Sequence, residues 1–200
     1  HRPAAETHAA PLPPADYYPV AKGGDDARPL LREVASHSES YAAASVRLAA
    51  LDAAEGRRAQ AQDRLHEVLQ KHPKDAQALL LSARVSLADG KRDPAREAVH
   101  TVIVNEPTSA AGVQAYMLAG QIESASDRVD EAVKAYEQVL KLQPRPWLAN
   151  VALSRLYLSQ GNPSKATSYS HQALAIPPTN PAPSQSIARA RGRGTCGRMQ

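Results

Sequence analysis

Three histidines recur in matching contexts along the chain and are the first candidates for chemistry. His66, His100 and His171 each stand shortly before an apolar pair, as in "LHEVLQKHP" at 65–73, and Glu137 takes the same place in "YEQVLKLQP" at 136–144. A repeated column of His and Glu could bind metal ions or relay protons. The stretch "HEVLQ" at 66–70 begins like the H-E-x-x-H zinc signature, but it lacks the second histidine.

The elements that carry this column decide whether it can bind a metal. Equivalent residues of neighbouring helical units lie about 8–10 Å apart, whereas each zinc ligand must lie about 2 Å from the ion. One ion therefore cannot bridge two units, so we predict a solvated helix face and no metal or cofactor. Nucleotide-binding loops, nucleophile elbows and paired cysteines are also absent from the sequence, which predicts a non-enzymatic protein.

The histidines repeat because most of the chain repeats. Pro73 and Pro107 are 34 residues apart, as are Pro144 and Pro178, and three extra residues separate the two pairs. We therefore divide residues 42–180 into units 42–75, 76–109, 113–146 and 147–180, with positions counted from 1 in each unit. Position 20 is always alanine, in Ala61, Ala95, Ala132 and Ala166. Position 8 is always small, in Ala49, Ala83, Gly120 and Ser154.

Each unit is predicted to contain two helices. Position 15, held by Gly56, Gly90, Asp127 and Gly161, ends the first helix. The proline at position 32 ends the second. Asp93, Asp130 and Ser164 are predicted to cap second helices. One such pair cannot bury its apolar face alone, and stacked copies bury the faces of their neighbours.

This pattern resembles the tetratricopeptide repeat family. The 34-residue period, the Gly–Ala–Pro spacing and the tyrosines Tyr116, Tyr136 and Tyr157 at positions 4, 24 and 11 carry the resemblance, while Ser170 and Trp147 depart from it. The resemblance implies an all-α fold, a right-handed α–α superhelix of four helix pairs. One period before Ala61, the stretch "DARPLLREVASH" predicts a leading half repeat, a capping helix over 25–41.

The two flanks differ from the repeats in composition. Residues 1–24 are rich in Ala and Pro and are predicted to form a tether, as after an export signal or lipid anchor. The first residue is His and not Met, so we expect an exported protein, in the periplasm or at the outer membrane, with membrane contact only through a removed anchor. A cytoplasmic location, or a segment added for expression, remains the alternative.

The tail over 181–200 is predicted to be disordered and basic. Four of the 24 Lys and Arg residues follow Pro178 without any acidic residue, which leaves 20 basic against 20 acidic residues in the body. A neutral body argues against nucleic-acid binding. The tail does not look like a polar capping helix, so a truncated repeat array or a shifted reading frame stays open. An uncapped C-terminal end could also support homo-oligomers.

The resemblance places a ligand groove on the first helices, at unit positions 2, 5, 9 and 12. In this sequence those positions include Gln77, Leu80, Arg84, Leu87, Gln114, Met117, Gln121, Leu148, Val151, Arg155 and Leu158. Position 5 holds Val46, Leu80, Met117 and Val151, which disfavours the Lys-based carboxylate clamp of some family members. The remaining apolar and arginine side chains favour a protein or peptide ligand with apolar anchors and some acidic character.

We therefore predict a protein–protein interaction scaffold that serves bacterial envelope assembly or export, such as a pilus, secretion or polysaccharide-export system. Two alternatives stay open at this point. The chain could be a self-assembling structural scaffold, or a regulatory fragment of a larger enzyme such as a glycosyltransferase.

Overall fold

A computed structural model describes residues 24–37 and 40–175 and, for Gly24–Asp26, the backbone only. The tail over 181–200 and nearly all of the tether over 1–24 lie outside these residues. Nine helices make up the described part. They are α1 (Gly24–Ala35), α2 (Tyr41–Ala54), α3 (Arg58–Lys71), α4 (Ala76–Ala88), α5 (Arg92–Asn105), α6 (Ala110–Ala125), α7 (Val129–Leu142), α8 (Trp147–Ser159) and α9 (Pro163–Leu174). None of these helices is long and apolar enough to cross a membrane.

The helices pack as four successive pairs, preceded by the single helix α1. The pairs are α2–α3, α4–α5, α6–α7 and α8–α9, each within one predicted unit, and α1 packs on α2. The alanines at position 20 lie at the centres of the pairs, and all four are buried. A larger side chain there would separate two closely packed helices. The leading helix ends at Ala35, earlier than the predicted 41.

Position 15 adopts the left-handed backbone conformation in all four units. Gly56, Gly90 and Gly161 have φ of 79°, 74° and 70°, and Asp127 has φ of 56°. The N–H of the next residue closes a Schellman turn on the residue at position 11. These bonds are Arg57 N to Asp52 O (2.8 Å), Lys91 N to Ser86 O (2.8 Å), Arg128 N to Glu123 O (2.9 Å) and Asn162 N to Tyr157 O (2.8 Å). The repeated turn gives each helix pair the same geometry.

The predicted caps of the second helices are wrong. Helices α5, α7 and α9 begin at Arg92, Val129 and Pro163, so Asp93, Asp130 and Ser164 lie inside the first turn. The Schellman turn leaves only one residue before the helix, so the helix starts earlier than the acidic residues suggest. In α9 the side chain of Asn162 accepts the cap hydrogen bond from Lys165 N at 3.1 Å.

The three extra residues between the second and third units form helix and not loop. Helix α6 has 16 residues, whereas α4 and α8 each have 13. The added turn, 110–112, begins after Ser109, whose Oγ accepts from Gly112 N at 3.0 Å. A Cβ on Gly112 would collide with the backbone of Glu106 and Pro107. Glycine therefore lets the lengthened helix pack against its own loop.

Inside each unit, position 8 packs against position 24, and the two side chains match in size. Ala49–Leu65 and Ala83–Val99 are buried in the core. In the third unit the ring of Tyr136 fills the space left by Gly120. In the fourth unit the Oγ atoms of Ser154 and Ser170 are hydrogen-bonded at 2.7 Å, so the serine that departs from the family pattern has a polar partner.

Between units, position 21 of one unit meets position 11 of the next, and we call this contact a joint. Three joints are hydrogen-bonded, Arg28–Asp52 (2.9 Å), Gln62–Ser86 (2.9 Å) and Arg96–Glu123 (2.7 Å). At the fourth joint, Val133 and Tyr157 belong to the same apolar cluster. Asp52 and Glu123 are buried in spite of their charge. Their burial is tolerated because arginines neutralise them and donate to their oxygens.

The two charged joints contain more than one arginine each. Asp52 also accepts from Arg57 at 3.2 Å and from Arg64 at 3.3 Å. Burial raises the pKa of the Asp52 carboxyl, but hydrogen bonds from Arg28 and Arg57 outweigh burial and hold the pKa below its ordinary value. Asp52 is therefore ionised at neutral pH. The hydrogen bond to Glu123 raises the pKa of the Arg96 guanidinium.

Candidate binding groove

The histidine column lies on the surface of the second helices. His66, His100 and His171 are all exposed, as expected for a solvated face. Among the described residues, no group of His, Cys, Asp and Glu is arranged to hold a metal ion.

The first helices lie on the inner side of the stack. Helix α4 contacts both α2 and α6 directly, whereas the second helices make no comparable contacts with one another. In a curved stack the elements on the concave side are closer together, so α2, α4 and α6 lie on the concave side, and α8 is the equivalent first helix of the fourth pair. This is the face on which the resemblance placed the groove.

Most of the predicted groove residues are accessible on this face. The exposed ones are Gln77, Arg84, Gln114, Gln121, Leu148, Arg155 and Leu158. Leu87, Met117 and Val151 are half-buried. Their exposure leaves them free to contact a ligand, although ligand contact itself stays a prediction.

Leu80 is a correction to the predicted groove. Its side chain is 0% exposed and belongs to the same core cluster as Ala111 and Ala115 of α6. Helix α4 has first helices on both sides, so its position 5 is covered, whereas the equivalent Met117 and Val151 are half-buried. Leu80 stabilises the fold and is not available to a ligand.

A hydrogen bond joins two of the predicted residues across neighbouring units. Arg84 Nη2 donates to Gln114 Oε1 at 3.0 Å, so positions 9 and 2 of successive units share one surface. Arg155 makes no hydrogen bond or ion pair with the part of the chain that the structure describes. Its guanidinium therefore keeps all of its N–H donors for solvent or a ligand.

The exposed charges of the first helices are all positive. Their only carboxylates are Asp52 and Glu123, and both are buried in joints. Their exposed charges are Arg84 and Arg155. Exposed acidic residues of the helix pairs lie on the second helices, for example Glu97 of α5, and in the turns after the first helices, as Glu55 and Asp89 do. The concave face therefore attracts anions, although the body as a whole is neutral.

The C-terminal end of this face is apolar. Leu148, Val151, Arg155 and Leu158 are spaced three or four residues apart and form one stripe along α8. Leu148 and Leu158 are 52% and 64% exposed, and Trp147 beside them is 51% exposed. The sequence comparison with the family treated Trp147 only as a displaced aromatic residue and missed it as a surface residue. Large exposed apolar side chains close together are typical of an interaction site.

The outer side of α9, the last helix of the described residues, is largely polar. Ser164, Thr167, Ser168 and His171 are exposed on it, and only Leu174, 82% exposed, is a large apolar residue. In the earlier units position 28, the place of Leu174, is half-buried. Helix α9 therefore presents a largely polar face, as terminal capping elements of repeat proteins do.

Comparison with known proteins identifies the family. Two family models described as "Tetratricopeptide repeat" match residues 52–115 and 117–181. None of the curated proteins matches the chain.

Solved structures agree with this assignment at the level of the fold. A crystal structure of MamA is 17% identical, with a TM-score of 0.66, over 83% of this chain and 91% of that one. The fragment of MamA from residue 41 to the end, from Desulfovibrio magneticus RS-1, is 16% identical, with a TM-score of 0.68, over 80% and 89%. BtubC (BKLC) from P. vanneervenii is 18% identical, with a TM-score of 0.68, over 90% and 79%. The chain therefore belongs to the tetratricopeptide repeat family, and its fold is the all-α solenoid of a protein–protein interaction scaffold.

Proposed function

We propose that the protein is a non-enzymatic scaffold whose concave groove binds an acidic segment of a partner protein. The observation that carries the proposal is the distribution of charge on the first helices. Every carboxylate there is buried in a joint, while Arg84 and Arg155 are exposed. A partner with acidic residues would meet attraction along the groove and no exposed carboxylate on these helices.

Apolar anchors complete the proposed recognition. Leu148 and Leu158 stand on either side of Arg155 along α8, and Met117 is half-buried on the neighbouring first helix. Burying such side chains supplies affinity, at about 25 cal/mol per Å² of apolar surface, while the arginines select the charge of the ligand. We therefore infer a ligand with one or two apolar residues near the C-terminal end of the groove and an acidic residue beside them.

We assign this scaffold to bacterial envelope assembly or export. The support is the composition of residues 1–24, which are rich in Ala and Pro, as tethers that follow an anchor or signal are. Cell fractionation of the native host tests the assignment, with the protein expected in the envelope fraction. Recovery from the cytoplasm alone would contradict it.

Self-assembly is less well supported than partner binding. A structural scaffold that stacks end to end needs an apolar C-terminal face, and α9 offers a single exposed leucine among polar residues. Light scattering over a range of concentrations should show a constant mass. A role as the regulatory part of a larger enzyme depends on the complete reading frame, which sequencing of the native gene would provide.

Selection from a random peptide library displayed on phage tests groove binding. The wild-type protein is expected to enrich peptides with an acidic residue near apolar ones. Binding of the enriched peptides should be lost in Arg155→Glu with Leu158→Asp, because both side chains are exposed on the groove face and neither is needed for the core.

His66→Ala with His100→Ala is the matched control, because these side chains are exposed on the second helices. The control should bind the enriched peptides like the wild type. If the histidine variant loses binding and the groove variant keeps it, the ligand binds the convex face and the proposal is wrong.

A further inference from the structure

A pocket of about 300 Å³ lies at the N-terminal end of the groove, between the C-terminal ends of α2 and α4. Three alanines, Ala53, Ala54 and Ala88, and the side chain of Leu81 form its apolar wall. Arg58 and Arg84 also line it. The alanines leave the space open, since larger side chains at these sites would fill it. The pocket thus combines a small apolar cavity with two cations.

The two arginines retain most of their hydrogen-bonding capacity. Arg58 uses only Nη1, which donates to Asp89 Oδ1 at 3.3 Å and to Ala88 O at 3.5 Å. Arg84 uses only Nη2, which donates to the neutral Gln114 at 3.0 Å. Within the described part of the chain, the other nitrogens of both guanidiniums have no partner. Asp89 balances one of the two charges, so the pocket is left with a net positive charge.

We propose that this pocket binds the carboxylate side chain of a glutamate or aspartate in the partner segment. A carboxylate accepts two parallel hydrogen bonds from one guanidinium and can bridge two of them. The methylenes of the acidic side chain would pack on the alanines, and the volume suits one side chain and not a folded element. This inference rests on the proposed function and adds a second acidic residue to the ligand, which lies between the first and second units, away from the one beside Arg155.

Binding of a defined peptide tests the pocket directly. The probe is a short fluorescein-labelled peptide of alternating alanine and glutamate, compared by anisotropy at low salt with an alanine–glutamine peptide of equal length. The wild-type protein is expected to bind the acidic peptide and not the neutral one. Arg58→Ala and Arg84→Ala should each weaken binding about tenfold or more, as loss of a charge-assisted hydrogen bond does.

A variant that keeps both charges separates a pocket from a diffuse positive field. Ala88 is exposed at the last turn of α4, so Ala88→Met should fold normally while its side chain fills the cavity, and it should also weaken binding about tenfold. Arg145→Ala removes an exposed charge from the loop before α8 and should change the affinity by less than about twofold. Circular dichroism of every variant checks that the helices persist.

Three results would overturn the proposal, and a fourth would overturn the pocket while leaving groove binding intact. One is no binding of the acidic peptide by the wild type, and another is an equal loss for Arg145→Ala and Arg84→Ala. The third is tighter binding of an alanine–phosphoserine peptide with the same dependence on Arg58 and Arg84, which would assign the pocket to phosphate. The groove variant Arg155→Glu with Leu158→Asp could lose binding of the phage-selected peptides while Ala88→Met still binds both these peptides and the alanine–glutamate peptide. In that case groove binding stands and the pocket assignment alone is wrong.

Discussion

The joint between the second and third units and the joint between the third and fourth units occupy the same place in the repeat with opposite chemistry. The former pairs Arg96 with Glu123 through two hydrogen bonds, of 2.7 and 3.3 Å. The latter packs Val133 in the same apolar cluster as Tyr157. The repeat thus fixes where the side chains at positions 21 and 11 meet. The chemistry of one side chain then decides whether its partner must be charged or apolar.

This difference means that the units are not interchangeable. Exchanging units would place Arg96 against Tyr157, or Val133 against Glu123, and each mismatch would set a charged side chain against an apolar one across the joint. The order of the units along the chain is therefore specified by the joints, while the alanines shared by all units specify only that they stack. Comparable matching occurs within units, where Gly120 faces Tyr136 and Ser154 faces Ser170.

The largest expected effect comes from breaking the ionic joint. Glu123→Ala removes a buried carboxylate that accepts two hydrogen bonds from Arg96. Hydrogen bonds to charged groups are worth about 1.5–3 kcal/mol each, so the expected loss is about 3 kcal/mol. Urea unfolding should show this loss in the free energy of unfolding. Glu97→Ala, at an exposed site, should change it by less than about 0.5 kcal/mol.

Replacing the ionic joint by the apolar one tests the same comparison. Arg96→Val with Glu123→Tyr copies Val133–Tyr157 into the ionic joint. Because apolar replacements of a buried ion pair are often neutral, the double variant should recover at least about 2 kcal/mol relative to Glu123→Ala. A double variant as unstable as the single one would show that the two joints differ in more than their side chains.

A smaller loss is expected from Gly120→Ala. A Cβ there would lie 2.5 Å from Cε1 and Cζ of Tyr136, and overpacking of this kind costs about 1–3 kcal/mol. Adding Tyr136→Leu recreates the Ala49–Leu65 pair of the first unit and should restore part of the stability in thermal unfolding. If Gly120→Ala melts like the wild type, the ring of Tyr136 has room to move.

The neutral joint should be less sensitive than the ionic one. Gln62→Ala removes hydrogen bonds to Ser82 O at 3.1 Å and to the buried Ser86 Oγ at 2.9 Å. The expected cost is about 1 kcal/mol, the net value of a typical hydrogen bond, measured under the same urea conditions. A cost equal to that of Glu123→Ala would refute the distinction between the joints.

The last comparison concerns how acid acts on the first joint. The pKa of Asp52 lies below its ordinary value, which is about 3.9. Its contribution to stability is therefore present above about pH 4 and is lost as the pH falls through the folded-state pKa. The difference in melting temperature between wild type and Asp52→Asn should narrow below pH 4 and stay constant above about pH 5. A difference that persists unchanged in acid would contradict this linkage.

The sequence alone determined that helix pairs repeat along the chain and that small alanines lie where the helices pack closely. These features repeat at fixed spacing, and the left-handed turn at position 15 depends on only a few neighbouring residues. Local patterns were less reliable at helix starts, where Asp93 and Asp130 resembled caps but lie inside the first turn. The family register predicted which residues of the first helices are accessible, except at Leu80, where neighbouring helices cover position 5.

Only the tertiary structure decided how the units meet. The joint partners Arg28–Asp52 and Arg96–Glu123 are 24 and 27 residues apart, so neither local propensity nor helical periodicity pairs them. The same holds for the burial of Leu80 and for the pocket between Arg58 and Arg84, which depend on the distance between helices of different units. Packing between units, and not the period itself, turns repeated helices into a specific surface, because each unit can bury its apolar face only against a neighbour whose side chains match its own.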